Sequence, residues 1–129
     1  MNRAIFTSRR PAAKATAYLA AVGAVGALTM AVAHTGAGVP LVERLGPAAP
    51  VPPAAVGFFV GAALYAGLAV LAWRQASAAW PFGFAVNFVA LVSATVPYRG
   101  AVSAVAAAVS VAAVIVLLSP SGREAFGRK

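Results

Sequence analysis

The chain has 129 residues, 62% of them hydrophobic, and only ten basic and two acidic side chains. Soluble domains carry roughly 25% charged residues, so a surface of this composition needs lipid around it, and the length allows a single domain. The net charge of +8 does not point to nucleic acid, because the cations flank apolar runs instead of forming a stripe: Arg3, Arg9, Arg10 and Lys14 precede the first run, and Arg123, Arg128 and Lys129 follow the last.

Residues 1–14 read as a basic cytoplasmic segment. A first spanning helix is expected over 15–34, since about 20 apolar residues cross a bilayer core. An alternative reading takes this region as a cleaved signal peptide. TSRRPAAK is basic and partly matches a twin-arginine signal, and Ala31-Val32-Ala33 has the A-x-A form of a cleavage site. The apolar run exceeds the usual length of a signal core, which favours an uncleaved helix. His34 closes this segment and is the sole histidine, so a histidine-pair metal site is excluded; a solvated or capping role is expected for it.

The connection over 36–53 is rich in Gly and Pro. Its PLVERLG stretch suits one interfacial turn, with Pro40 as a first helical residue and Gly46 as a stop. A second helix is expected over 54–73, a third over about 78–96 and a fourth over 101–118. The connections between them, RQASA and PYRG, are short and force antiparallel neighbours. Pro81 fits the first turn of the third helix, placing Trp80 at the membrane interface with Trp73 and Tyr98. Residues 119–129 read as a basic cytoplasmic tail, with REAFGRK running into water.

The fold expected is therefore all-α: an antiparallel transmembrane four-helix bundle occupying 15–118. Lys and Arg counts orient it. Eight fall with the two termini and the second connection, while Arg44 and Arg99 fall on the other side. Both termini are then cytoplasmic, and the protein is multi-pass in the plasma membrane.

Within the spans, Asn87 is the sharpest polar feature. Gly83, Asn87, Ala90 and Ala94 share one helical face. An amide turned to lipid would lose its hydrogen bonds, so Asn87 is expected to point inward, with Tyr65, Ser103 and Ser110 as candidate partners. Tyr18, like Tyr65, is expected to bury its ring. Gly57 and Gly61 form a GxxxG and, with Gly83, are the candidate helix-packing glycines. Ala20/Ala24 and Gly23/Ala27 have the same small-xxx-small spacing, so the motif carries little weight in so Ala-rich a chain.

The spans lack Asp, Glu, Lys and Arg. Ion-coupled transport needs an ionisable group in the membrane, which argues against a proton relay and against the small multidrug-exporter pattern. Glu43 and Glu124 lie on opposite sides in this topology and cannot form a catalytic pair. With no cysteine, a cysteine nucleophile, a disulfide and a thiolate metal site are excluded. The expectation is no enzyme, no cofactor and no metal.

The stretch from LAWRQ through AAW and VNFVALVSATVPYRG to VIVLLSPSGREAF, about residues 54–127, resembles a loose group of small four-helix prokaryotic membrane proteins of unassigned activity. A fainter similarity is to GtrA-like proteins, which implies polyprenyl-sugar translocation, although that family's charged helix-end motifs are missing. Two functions follow as expectations. One is a non-enzymatic accessory subunit, whose partners are the bilayer and either further copies or another membrane protein. The other is a small oligomeric permease or lipid translocator lined by Asn87, Tyr65 and the serines. Nucleic acid is not an expected partner.

Overall fold

The computed structural model describes the backbone of residues 3–127 and the side chains of residues 11–127. Among the described residues six helices follow one another: α1 (Arg3–Thr35), α2 (Pro40–Glu43), α3 (Pro52–Trp73), α4 (Ala79–Thr95), α5 (Ala101–Leu118) and α6 (Pro120–Ala125). No strand occurs among the described residues. The helical stretches Pro11–Thr35, Pro52–Trp73 and Ala101–Leu118 are long and apolar enough to cross a membrane, and α4 is apolar but shorter. With 17 residues, α4 is about 25 Å long and sits at the lower limit for a span.

The first helix starts earlier than the hydropathy alone suggests. It begins at Arg3 and carries Pro11 inside it. Pro11 removes one backbone hydrogen bond, but the strong helix formers Ala12, Ala13, Lys14 and Ala15 follow directly. Ala12 and Ala13 are buried there in one cluster with Ala125 and Phe126, where α6 packs on α1. That contact also corrects the expectation for the C-terminal stretch. REAFGRK does not simply run into water: α6 turns back onto the bundle, and Phe126 is 1% exposed. Arg3, Arg9, Arg10, Arg128 and Lys129 lie outside the residues whose side chains are described.

Several helix ends are closed by identifiable chemistry. α1 stops at Gly36, whose φ of +73° is the left-handed conformation that ends helices at low steric cost. The Val51 N–H donates to the His34 carbonyl at 2.9 Å, satisfying one of the orphaned acceptors of that end. α2 is the expected single turn, with Pro40 at its first position. Gly46 is needed for close approach: a Cβ there would lie 2.5 Å from the Ala33 carbonyl oxygen. α3 ends in a pair of reversed bonds, Ala76 N–H to Leu71 O at 2.9 Å and Gln75 N–H to Ala72 O at 3.0 Å. This is the Schellman arrangement, and it holds Gln75 at φ 55°. Pro81 falls in the first turn of α4, where its missing N–H costs nothing. At the start of α6, the Ser119 hydroxyl accepts from the Gly122 N–H at 3.0 Å and donates to the Val116 carbonyl at 2.6 Å.

The four long helices pack as a closed ring, α1 against α3, α3 against α4, α4 against α5 and α5 against α1. Three contacts show that neighbours are antiparallel. Tyr18, midway along α1 and well before His34, meets Trp73 at the end of α3. His34 at the end of α1 meets Phe58 near the start of α3. Trp80 at the start of α4 donates to the Leu117 carbonyl at the end of α5 at 3.1 Å. α1 contributes mainly alanines to the interior (Ala12, Ala13, Ala17, Ala20), while Leu68, Val86 and Leu117 fill the space they leave. Outward faces are apolar too: Val25, Phe88, Val89, Val105 and Ile115 are all exposed. A continuous apolar exterior of this kind is unfavourable in water and suits a bilayer.

Candidate functional site

The interior polar cluster is assembled from three helices. α4 supplies Asn87, α3 supplies Tyr65 and α5 supplies Ser110, and all three are buried. The Tyr65 hydroxyl donates to Asn87 Oδ1 at 3.2 Å and lies 3.5 Å from Ser110 Oγ. The Asn87 amide nitrogen donates back to the Gly83 carbonyl of its own helix at 2.8 Å. One side of the amide is thus satisfied within α4 and the other across the bundle. In an apolar interior, an unpaired amide group carries a desolvation penalty of several kcal/mol, which is why the three polar residues converge.

Two glycines make the convergence possible. A Cβ on Gly23 of α1 would lie 2.7 Å from Tyr65 Cδ1, so the tyrosine ring lies flat against bare backbone. A Cβ on Gly83 would lie 2.9 Å from Leu117 Cδ1 and 3.3 Å from Leu68 Cδ1. Sequence reasoning singled out Gly83 but treated Gly23 as one of many small residues. The one usable signal was its companion: Tyr65 is the sole polar side chain in the middle of α3, and a buried ring needs a small residue opposite.

The other candidates are placed differently. Ser103 is buried but does not join the cluster; its Oγ accepts from the Arg99 N–H at 2.8 Å and closes the turn before α5. Gly57 is exposed, with nothing within 4 Å of an added Cβ, and Gly61 meets only Ala27 Cβ at 3.9 Å. The GxxxG therefore does not mediate close packing within this bundle. Position along the helix matters here: α3 buries Tyr65, Leu68 and Ala72 in its C-terminal half, whereas Gly57 lies near its start, where it is exposed. Tyr18 is 61% exposed rather than buried, its ring edge-on to Trp73 with centroids 6.2 Å apart.

Of the two roles expected for His34, solvated or capping, the solvated one does not hold. The residue is 3% exposed, because the 36–53 connection folds over the end of α1. Its Nδ1 lies 2.7 Å from the Met30 carbonyl. A carbonyl only accepts, so Nδ1 carries the proton. The ring packs on Phe58 with centroids 5.0 Å apart. Trp80, expected at the interface, is half-buried with its ring 4.7 Å from that of Phe84.

The chemistry open to the cluster is hydrogen bonding. An amide, a phenol and an alcohol lie together, and no carboxylate or imidazole is within hydrogen-bond reach of them among the described residues. Glu43 lies in α2 and Glu124 in α6, at opposite ends of the bundle. Among the described residues no group of three His, Cys, Asp or Glu side chains is placed to hold a metal ion. No protein-family model, curated protein or solved structure matches the chain.

Proposed function

We propose that this protein is a multi-pass integral membrane protein of the plasma membrane, with both termini cytoplasmic, acting without chemistry of its own as an accessory or interaction subunit. The observation that carries this reading is that the interior polar groups are taken up by one another. Tyr65, Asn87 and Ser110 hold three helices in register and leave the exterior apolar, which is the design of a packing element. Bonds of this type between membrane helices are worth about 0.6 kcal/mol on average, with a maximum near 1.7. They fix rotation without dominating stability.

The orientation rests on charge. Lys14, Arg74 and Arg123 lie at one end of the bundle, while Arg44 and Arg99 lie at the other. The cation-rich end faces the cytoplasm under the positive-inside rule. An uncleaved first helix is favoured by its packing: Ala31 and Ala33 are buried within α1, which is in contact with α3, α5 and α6. The translocator alternative requires the polar cluster to line a path, and it is turned inward on itself.

Native mass spectrometry of the tagged chain, extracted from its own membranes in mild detergent, tests the proposal. A 12.8 kDa chain recovered with a second membrane protein at fixed stoichiometry is the expected result. Recovery as a bare monomer, or as a homo-oligomer that conducts solutes in proteoliposomes, overturns it.

A further inference from the structure

A groove of about 320 Å³ runs between α1 and α3 at the cation-rich end of the bundle. Its floor is small and apolar: Ala17 and Ala21 on α1, Ala69 and Val70 on α3. Its rim is not. Tyr18 stands on the α1 side between Ala17 and Ala21, edge to face with Trp73, and Trp73 and Arg74 close the cation-rich end. Lys14 adds a second cation. It lies three, four and seven residues before Ala17, Tyr18 and Ala21, so it shares their helical face, one turn farther toward the same end as Arg74. Both basic side chains are exposed. Among the described residues neither has a carboxylate partner.

The juxtaposition is an apolar trough, an aromatic pair with polar tips on its rim, and two unneutralised cations at one end. Resting on the membrane reading above, we propose that this groove binds one anionic phospholipid. An acyl chain lies along Ala17, Ala21, Ala69 and Val70, the aromatic pair sits at the ester level, and Arg74 and Lys14 hold the phosphate. Charge complementarity selects this occupant. A second copy of the chain docked symmetrically here would bring Lys14 and Arg74 against their own kind. A zwitterionic lipid would satisfy the phosphate contacts but carry its own cation into the site.

The test is lipid retention by native mass spectrometry, with the purified protein exposed to equal amounts of phosphatidylglycerol and phosphatidylcholine. The wild type should retain one phosphatidylglycerol in preference. Arg74→Gln and Lys14→Gln should each lower the preference about fivefold, the factor equivalent to about 1 kcal/mol per basic side chain near an anionic surface. Arg74→Lys should keep it. Val70→Trp leaves both charges in place and should abolish retention by filling the trough. The residues changed are exposed or on the rim, and circular dichroism of each variant checks that the bundle is intact. Equal retention of both lipids by the wild type, or unchanged preference in both the charge and the trough variants, overturns the site. A dimer held through this face overturns it as well. A chain released from membranes by alkaline carbonate overturns the membrane reading itself, so the two failures are distinguishable.

Discussion

Tyr65→Phe probes the centre of the bundle with little change in shape. The substitution deletes the hydroxyl that donates to Asn87 Oδ1 at 3.2 Å. That distance is long for an O–H donor, whose usual separation is about 2.7–2.8 Å. The lost bond therefore belongs near the membrane average of about 0.6 kcal/mol and not near the maximum of about 1.7. A second cost follows, because Asn87 Oδ1 is left in a site only 1% exposed. Orphaning a buried acceptor adds on the order of 1 kcal/mol. The Asn87 bond to the Gly83 carbonyl is local to α4 and survives. The total expected is about 1.5 kcal/mol, the sum of these two estimates. The assay is unfolding in mixed micelles by rising SDS, followed by circular dichroism, as a double-mutant cycle with Asn87→Ala. The double variant should be less destabilised than the sum of the singles by about 1.5 kcal/mol, because without Asn87 the Tyr65→Phe change neither breaks the bond nor orphans its acceptor. A coupling indistinguishable from zero, within the roughly 0.3–0.5 kcal/mol seen for independent sites, would refute the view that these residues act as a pair.

The same unfolding assay separates the two kinds of glycine. Gly23→Ala should destabilise by about 1–3 kcal/mol through overpacking against the Tyr65 ring, whereas Gly57→Ala, with open space around it, should be neutral or slightly stabilising. Gln75→Gly should stabilise by up to about 1 kcal/mol, since it relieves a side chain held at positive φ. Gly122→Ala should dislodge α6, because an added Cβ runs into the Val116 carbonyl oxygen; the chain has no native cysteine, so maleimide labelling of a single cysteine placed at Phe126 should be faster in that background. Orientation is read by an impermeant maleimide on intact cells: cysteines at Gly38 and Tyr98 should react, and one at Ser77 only after permeabilisation. The reverse pattern would invert the topology.

Much of the fold follows directly from the order of residues. Apolar length marks the spans, Pro and Gly mark their ends, and the short RQASA and PYRG links make neighbours antiparallel, because each depends on properties local in the chain. The inward aim of Asn87 is legible for the same reason, since an amide has no acceptable position facing lipid. Choices among equivalent residues were not local. α3, α4 and α5 are apolar on every side, so hydrophobicity does not select a rotation, and which small residues meet is decided by side-chain fit between helices. That fit puts Gly23, not Gly57, against a neighbour, gives Asn87 Tyr65 as its partner, and assigns Ser103 to a turn. The burial of His34 and Phe126 likewise required the connection and the last helix to fold back over α1 and α5. Those contacts join residues distant in the chain, and no periodicity within a single segment encodes them.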